Sequence, residues 1–504
     1  MSAPVEAAPT RLAGDAATLA VAAVLTQGAG IVAMVILART LPLGEFGLYQ
    51  QLVLLYGIVA PLLYGGIPAA LTFFIARSKT AEEQRGWAFD GTVALAALGV
   101  LFGLLLIVAR HPLAEVLSAR GKLTTAIALL APYAAFSFVS AIMPNALIPV
   151  GRVKLSALLS AASALVYVVC LVGAAVLNPD VRSLAIAMGV SGAFSASAGV
   201  IAVGRAIGYR RRWRGVPGRS LAFLSYGFPL ALTGLAGLLG FQFDRLVVSN
   251  TFSPEVFAIY AVGAIELPIT IIIQQSINSV LLPALTRLYH EGNIAELGQL
   301  WRDTVAKTGL IVLPLFVLTW VLADDLMRVA LGARFADSVE IFRIYLLLMP
   351  LRVATYGLIS MAIGRTKMNL TASLILLGSN VVLALALVGP LGLKGPAIAT
   401  VIATTLSVAY YLGRLRKILS LPIRLLFPWR QLTVTLAIAL AIAAPLAPLL
   451  ALDMPRVLRL VVFGAPFAAA YVAIMRHTRR IGDDDWARLR ATVLRLRPGG
   501  RASA

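Results

Sequence analysis

Long apolar runs, repeated from one end of the chain to the other, limit this sequence to very few folds. A helix needs about 20 apolar residues to cross the roughly 30 Å hydrocarbon core of a bilayer. Because lipid offers the backbone no hydrogen-bond partners, such a segment has to be helical. A membrane β-barrel would show alternating segments of about 10 residues, which this sequence lacks. With 60% hydrophobic and 13% charged residues, the chain is predicted to be an all-α polytopic membrane protein.

The apolar runs predict about fourteen transmembrane helices. The first run is longer than the roughly 7–15 apolar residues of a cleaved signal sequence, so we expect it to remain as a span. The predicted connections are too short to hold a folded soluble domain, so the function has to lie within the helical bundle. The predicted spans are residues 16–38, 45–76, 87–109, 123–149, 153–177, 182–204, 221–250, 255–286, 304–323, 338–363, 368–389, 393–413, 431–450 and 456–475.

The distribution of positive charge predicts the orientation of the chain. The formal net charge is +21, and most of the 43 Lys and Arg residues lie in the even-numbered loops and the C-terminal tail. Residues 205–219 alone contain six arginines. Because basic loops stay on the cytoplasmic side, both termini are predicted to be cytoplasmic. The same loops are expected to contact anionic lipid head groups, and since they flank spans, no nucleic-acid partner is expected.

Three short matches at nearly one offset indicate an internal duplication. TLPLGEFGLY, residues 40–49, resembles TFSPEVFAIY, residues 251–260, at an offset of 211. GRVK and GRTK, which begin at Gly151 and Gly364, match at an offset of 213, and a third match, Ala-Ile-Ala from Ala185 and from Ala397, has an offset of 212. The offset steps over six spans, an even number, so the two copies are predicted to be parallel and related by a pseudo-two-fold axis along the membrane normal.

The duplication predicts two six-helix lobes and two additional C-terminal helices. Two lobes joined by a basic loop are typical of a transporter, in which the substrate path runs between the lobes and rocking exposes it to alternate sides. The predicted organisation is a first lobe at 1–204, a basic cytoplasmic linker at 205–220, a second lobe at 221–420, spans 13 and 14 within 421–475, and a basic cytoplasmic tail at 476–504.

Two stretches resemble a known family. LARTLPLGEFGLYQ (37–50) and FDRLVVSNTFSPEVFAIYAVG (243–263), together with GRVK and GRTK, are similar to segments of the polysaccharide flippases that export O-antigen and exopolysaccharide units. This family shares a superfamily with multidrug and toxic compound extrusion transporters and lipid II flippases. The resemblance implies an undecaprenyl-diphosphate-linked oligosaccharide, moved from the cytoplasmic to the periplasmic leaflet of the bacterial inner membrane. It also implies a polysaccharide polymerase and a chain-length regulator as partners.

Several alternatives stay open on the sequence. The protein could be a multidrug exporter or a lipid II exporter of the same superfamily, or a membrane-embedded polysaccharide polymerase or ligase. The short outer loops disfavour the enzyme, because such enzymes carry a large periplasmic loop. No GxxxxGK[ST] pattern and no Cys/His cluster occurs, so neither ATP hydrolysis nor a metal site is expected. No cofactor is expected, although a proton or a sodium ion could drive transport.

Charged residues within predicted spans are the candidates for the substrate site, because such residues usually face a wet cavity. Arg352 is the first candidate for a phosphate ligand, since the planar guanidinium binds phosphate in a bidentate way; a helix-to-helix ion pair is the alternative. Glu266 could pair with an arginine or carry a coupling proton. The nearby Pro268 is expected to kink that helix.

Asp244 and Arg245 form an adjacent charge pair near the predicted outer end of span seven. Neighbours on a helix point about 100° apart, so they cannot pair with each other. Arg245 could reach outward to the interface. We expect either a clamp between the lobes on the periplasmic side or a role in substrate exit, with Arg343 at a similar depth.

The remaining candidates are polar residues near the helix ends and within the lobes. Two of them, Gln27 and Asn145, could hydrogen-bond glycan hydroxyls or simply link helices. Tyrosines within spans, Tyr133 and Tyr345 among them, could stack on sugar rings or serve packing. Basic residues at the predicted cytoplasmic mouth could collect an anionic lipid head or anchor helix ends; they are Arg152, Lys154, Arg365 and Lys367.

Overall fold

A computed structural model describes residues 9–117, 121–209 and 217–478. Within these ranges every regular element is a helix, mostly α-helix with short 3₁₀ turns. The predicted all-α polytopic fold is therefore confirmed. The first eight residues, part of the predicted linker at 205–220 and most of the predicted tail at 476–504 lie outside the described residues.

We number the α-helices in chain order. Helices α1 to α10 belong to the first lobe and are Pro9–Thr40, Leu43–Tyr64, Ile67–Arg77, Ala81–Val108, Arg110–Val116, Lys122–Leu129, Ala131–Ser140, Ile142–Leu147, Val153–Leu177 and Val181–Ala206. Helices α11 to α20 belong to the second lobe and are Pro217–Thr251, Pro254–Gly263, Pro268–His290, Ile294–Val321, Ala323–Leu331, Ser338–Leu346, Leu348–Leu351, Gly357–Ala362, Lys367–Leu391 and Lys394–Leu419. Helices α21 to α23 follow the second lobe and are Ile423–Leu426, Trp429–Leu446 and Arg456–His477.

Twelve helical segments of the described chain are long and apolar enough to cross a membrane. They correspond to twelve of the fourteen predicted spans. The other two are 221–250, which lies within the continuous helix α11, and 338–363, which is divided among α16, α17 and α18. The structure thus supports a multi-pass membrane protein with about fourteen membrane-crossing segments.

Three spans that we expected to be continuous are divided: 123–149 among α6, α7 and α8, and 45–76 and 255–286 into two helices each. The span at 45–76 breaks between α2 and α3 at Gly65, whose φ of +51° and ψ of −134° suit only glycine. The span at 255–286 breaks between α12 and α13, just before Pro268. A residue that precedes proline is pushed out of the helical region, and Leu267 is accordingly extended.

The span at 338–363 is also broken, and it unwinds from Arg352 to Tyr356. Pro350 lies within the last short helix before the break and has no N–H to continue the backbone ladder. Helix resumes at Gly357. Irregular backbone at membrane depth is tolerated only where protein or a wet cavity satisfies its polar groups.

Small residues let the helices of the first lobe approach closely. On α4, Gly99 and Gly103 form a GxxxG pair that faces α7. A Cβ at Gly99 would lie 2.6 Å from the carbonyl oxygen of Ala135, and one at Gly103 would lie 2.9 Å from that of Ala131. Such stripes allow van der Waals packing between helices in lipid, where no hydrophobic driving force acts between them.

The two lobes meet mainly through α2, which packs against α11 and α12. Gly47 on α2 touches the backbone of Pro254 at the start of α12, and a side chain at Gly47 would collide with it. Gly66, directly before α3, lies equally close to the backbone of Gly227 on α11. Contacts between the lobes therefore occur at two different depths of the bundle.

Helices α22 and α23 pack against the outside of the second lobe. Phe463 and Phe467 on α23 are almost fully buried in a cluster that includes Val317 of α14. Arg459 on α23 donates to the Asp325 carboxylate on α15 over 3.3 Å. The last two predicted spans thus form an addition to the second lobe.

Candidate functional site

Arg352 and Glu266 form an ion pair between two broken spans of the second lobe. The Arg352 Nη2 lies 2.7 Å from the Glu266 Oε1. Arg352 is the residue at which the helix ends, and Glu266 lies in the extended segment between α12 and α13. Their side chains are 26% and 24% exposed, so the pair is open on one side rather than sealed in the core.

Neighbouring helices hold the Arg352 backbone and guanidinium in place. The guanidinium carbon lies 4.7 Å from the ring centroid of Phe241 on α11, a cation–π geometry. The side-chain amide of Gln274 on α13 donates to the Arg352 carbonyl oxygen over 3.0 Å. That carbonyl has lost its helical partner, so Gln274 satisfies a group that the helix break exposes.

Arg352 lines a cavity of about 290 Å³ inside the second lobe. Walls from α11, α13, α19 and α20 surround the unwound segment after Arg352. Polar side chains on these walls are Gln274, Thr355, Ser373, Thr404 and Ser407, together with the tyrosines Tyr356 and Tyr411. Tyr356 and Tyr411 lie nearly parallel, with ring centroids 6.2 Å apart. We call this space the second-lobe cavity; among the described residues that line it, Arg352 alone is charged.

Asp244 and Arg245 fasten helices within the second lobe. Asp244 is fully buried and accepts hydrogen bonds from the hydroxyls of Tyr260 on α12, over 2.5 Å, and of Tyr345 on α16. Arg245 donates to the carbonyl oxygen of Ala264, where α12 ends. The charge pair therefore joins α11 to both broken spans and caps one of the breaks.

This geometry corrects the expectation that Asp244 is a substrate ligand. Asp244 is sealed in the lobe interior, so it does not face a cavity as a substrate ligand would. The hydrogen bonds described for the pair stay within the second lobe, and the clamp between the lobes stays a prediction. Between the lobes, Arg39 donates to the carbonyls of Val329 and Ala330 at the end of α15, and Gln51 on α2 donates to the Ser249 hydroxyl on α11 over 3.0 Å. Arg343 is half-buried on α16 and lines neither lobe cavity.

The first lobe contains its own cavity of about 440 Å³ between α1, α7, α8, α9 and α10. We call it the first-lobe cavity. The described residues that line it include no Asp, Glu, Lys or Arg. Its polar wall residues are Thr26, Ser137, Ser140, Ser160, Ser163, Ser191 and Ser195, together with Tyr133 and Tyr167.

The internal repeat relates the two cavities to each other. Residues that line the first correspond to residues that line the second at offsets of 211–213, the offsets of the sequence repeat. The Arg352 position corresponds to a serine in the first lobe. The corresponding pairs are Thr26 and Gly237, Gly30 and Phe241, Ser140 and Arg352, Ser160 and Ser373, and Ser195 and Ser407.

Two predicted glycan ligands of the first lobe lie beside its cavity rather than in its wall. Asn145 donates to the Ala141 carbonyl over 2.7 Å and accepts from the Thr72 hydroxyl over 2.9 Å, so it links α8 to α3. Gln27 is half-buried on α1, next to the wall residue Thr26. The tyrosine Tyr133, in contrast, does line the cavity.

The four predicted mouth residues are exposed at or next to the starts of α9 and α19. Arg152 also borders an apolar groove of about 400 Å³, with Arg205 on its other side. Lys154, Arg365 and Lys367 lie at the corresponding ends without lining a described cavity. These positions suit either a lipid head group or simple anchoring, so the mouth assignment stays a prediction.

Sequence reasoning missed several residues that complete the site. Phe241 and Ser407 carry no charge and stand in apolar runs, so nothing marked them individually. Tyr260 was marked as part of the repeat but not as a partner of Asp244. Mapping the lining residues of one lobe onto the other through the repeat offset would have indicated Phe241 and Ser407. No group of three or more metal-ligating side chains occurs in the part of the chain that the structure describes.

Two duplicated helical lobes, broken spans and lobe cavities define a multi-pass helical membrane protein. Comparison with solved structures gives the same fold. The lipid II flippase MurJ in an inward closed conformation superposes with a TM-score of 0.73 at 15% identity, covering 91% of this chain and 99% of that chain. An inward-facing multidrug resistance transporter of the MATE family gives 0.64 at 17% identity, covering 79% and 95%.

Sequence comparison then identifies the family. A family model described as polysaccharide biosynthesis protein matches residues 36–340, more than half of the chain, and the chain belongs to this family. The capsular polysaccharide biosynthesis protein CapF of Staphylococcus aureus is 27% identical over 186 residues. That alignment covers 36% of this chain and 47% of the relative, so the chain matches about half of that protein's length. The predicted membership is thus confirmed at the level of a polysaccharide biosynthesis family.

Proposed function

We propose that this protein is a flippase that moves a lipid-linked oligosaccharide, carried on undecaprenyl diphosphate, from the cytoplasmic to the periplasmic leaflet. The observation that carries the proposal is the second-lobe cavity, in which a partly exposed Arg352 lies at the junction of two broken spans. Membership in a polysaccharide biosynthesis family supports a glycan-bearing substrate. The two-lobe fold supports transport by rocking between two states.

Arg352 is suited to the diphosphate because its donors are only partly used. One amino group pairs with Glu266, whereas Nε makes no hydrogen bond within the described chain. A guanidinium binds phosphate oxygens through two parallel N–H bonds, and such charge-assisted bonds are about twice as strong as neutral ones. The Phe241 ring contacts the guanidinium through its aromatic face, so this contact uses none of the N–H groups.

Glu266 is the candidate for coupling substrate binding to the transport cycle. Without an anion its carboxylate neutralises Arg352, and an incoming phosphate would compete for the same guanidinium. A carboxylate released in this way can take up a proton or a sodium ion, so we propose that one of these ions binds at Glu266 together with the substrate and leaves when the substrate leaves. Because Glu266 lies in an extended segment, a change of partner there could move α12 and α13 relative to each other.

The proposed setting is the bacterial inner membrane, with both termini in the cytoplasm. The basic loops support that orientation through the positive-inside rule. A polymerase and a chain-length regulator would then act on the product in the periplasmic leaflet. A lipid II type exporter is the second candidate, favoured by the full-length match to the MurJ fold. A polymerase or ligase is disfavoured by the short connections at the predicted outer side.

Complementation of a deletion strain tests the proposal. We expect lipid-linked repeat units to accumulate in the deletion strain, wild-type protein to restore surface polysaccharide, and Arg352→Gln to restore less than about a tenth of it. That loss corresponds to about 1.4 kcal/mol or more, within the range for a charge-assisted hydrogen bond.

The matched control is Arg328→Gln, which removes an arginine from an ion pair outside the cavity. The exposed fraction of the Arg328 side chain is 29%, close to the 26% of Arg352. We expect this variant to complement like the wild type. Full export by Arg352→Gln at normal membrane levels would remove Arg352 from the substrate site. Unchanged polysaccharide in the deletion strain, with no second flippase present, would refute the function itself.

A further inference from the structure

The first-lobe cavity has a chemistry that the arginine site does not share. Its wall carries hydroxyl groups from six serines, a threonine and two tyrosines, but no charged side chain among the described residues. Its volume of about 440 Å³ falls within the roughly 300–1,000 Å³ of small-molecule sites. Through the repeat, it occupies the same place in its lobe as the Arg352 cavity does in the other. A site of this size and polarity needs a ligand of its own.

Hydrogen bonding shows which kind of ligand the wall can take. Ser140 donates its proton to the Ser137 carbonyl over 2.7 Å, and Ser191 donates to the Met188 carbonyl over 2.8 Å. A hydroxyl that donates back into its own helix keeps its oxygen lone pairs for another partner. The Ser163 oxygen is buried and has no hydrogen-bond partner in the described chain. The wall therefore offers acceptor oxygens at Ser140 and Ser191, and at Ser163 a hydroxyl that can either donate or accept.

A phosphate is disfavoured, because no described wall residue carries a positive charge to neutralise it. An organic cation would meet no carboxylate to neutralise it, because the described lining has none. The ligand that fits is an uncharged molecule that carries several hydroxyl donors. Sugar rings have this property, and Tyr133 offers an aromatic face beside the serines.

We propose that the first-lobe cavity binds the uncharged sugar part of the substrate, while the second-lobe cavity binds its diphosphate. This inference rests on the proposed function, because it divides the two chemistries of one lipid-linked glycan between the two lobes. Ser160 and Ser195 are the central ligands, since they line the cavity from α9 and α10 and make no hydrogen bond within the described chain.

The test is equilibrium binding of two probes to the purified full chain in detergent. One probe is undecaprenyl diphosphate, and the other is undecaprenyl diphosphate bearing a single hexose. In the Ser160→Ala/Ser195→Ala double variant, we expect the Kd for the hexose-bearing probe to rise about tenfold, since each neutral hydrogen bond contributes about 3- to 10-fold. The Kd for the sugar-free probe should stay within about twofold of the wild type.

The matched control is Ser156→Ala/Ser197→Ala, which removes two hydroxyls from the same helices outside the cavity wall. It should leave both Kd values unchanged. An unchanged Kd for the hexose-bearing probe in the Ser160/Ser195 variant would overturn the inference. An equal rise for both probes would overturn it too, because it would show a structural role for the serines.

Arg352→Gln separates this inference from the proposed function. We expect it to weaken both probes by a similar factor, since both carry the diphosphate. If Arg352→Gln changes neither Kd, the diphosphate site has failed. The ratio of the Kd values for the two probes in the Ser160/Ser195 variant would still show whether the first-lobe cavity binds the sugar.

Discussion

The two lobes are copies of one unit, yet only the second has charges at its centre. At four charged positions near the centre of the second lobe, the first lobe has a small or apolar residue at the position given by the repeat offset. This difference concerns four positions, at which Ala33, Met34, Leu55 and Ser140 correspond to Asp244, Arg245, Glu266 and Arg352. The duplicated helices supply a common scaffold, and the charges are a property of one copy.

The tyrosines show how the scaffold was kept while the chemistry changed. Tyr49 in the first lobe corresponds to Tyr260 in the second, and both are buried. Tyr49 shares a hydrogen bond of 3.2 Å with the neutral hydroxyl of Tyr167, whereas Tyr260 donates to the Asp244 carboxylate. The tyrosine hydroxyl at this position thus bonds a neutral hydroxyl in the first lobe and a buried carboxylate in the second.

The position of the helix breaks explains why the second lobe needs polar side chains near its centre. Breaks in α12–α13 and after Arg352 leave carbonyls without helical partners, and Arg245 and Gln274 donate to two of them. In the first lobe, the break at Gly65 is a glycine turn closed by a bond to the Pro61 carbonyl. Charge in the second lobe therefore serves both the fold and the candidate site.

The largest expected effect follows from removing Asp244. The Asp244→Ala variant leaves the Tyr260 and Tyr345 hydroxyls buried without an acceptor, at about 1–3 kcal/mol for each group. We expect the free energy of unfolding in detergent to fall by about 3 kcal/mol. The matching first-lobe variant, Tyr49→Phe, removes one neutral hydrogen bond and should cost about 1 kcal/mol. Denaturant titration followed by tryptophan fluorescence measures both.

Equal losses in the two variants would contradict the comparison between the lobes. They would mean that the buried carboxylate adds nothing beyond an ordinary hydrogen bond. Asp244→Asn refines the result, because its amide oxygen can still accept from a tyrosine. We expect its loss to lie between those of the other two variants.

The fold could be predicted from the sequence because bilayer thickness converts apolar runs directly into spans. Twelve of the fourteen predicted spans correspond to helices that meet the criteria for crossing. The repeat was visible because Phe46 and Tyr49, which pack in the core, recur as Phe257 and Tyr260. The periodicity and the length of an apolar run are local properties of the chain, so a single sequence is enough to predict the spans.

The site was only partly predictable because its contacts depend on where spans unwind. Arg352 and Glu266 stood out as charges within apolar runs, and the structure brings them together. Of the two helix breaks at which they lie, only the one at Glu266 was indicated in the sequence, by Pro268. The environment of Asp244 could not be derived, since its acceptor role depends on Tyr345, about a hundred residues away. Such contacts arise from packing between helices, which hydropathy does not encode.

A smaller effect is expected from the coupling between Glu266 and Arg352. In a double-mutant cycle with Glu266→Gln and Arg352→Gln, we expect an interaction energy of about 1 kcal/mol in the free energy of unfolding. The value is modest because both side chains are about a quarter exposed, and solvent screens partly exposed pairs.

Additivity of the two substitutions to within about 0.3 kcal/mol would show that the pair does not hold the broken spans together. A cycle between Arg352 and the distant Glu291 serves as the control. Glu291 pairs with Arg287 at the exposed end of α13, so no coupling with Arg352 is expected.

The smallest effect, and the most direct test of the difference between the lobes, comes from moving a charge into the first lobe. Ser140→Arg places a guanidinium at the position that corresponds to Arg352. We expect the affinity for sugar-free undecaprenyl diphosphate to rise about threefold, since the new cation lacks the aromatic and carboxylate neighbours that position Arg352. Ser140→Gln adds similar bulk without charge and should bring no gain. If both variants bind alike, the missing charge is not what keeps the diphosphate out of the first lobe.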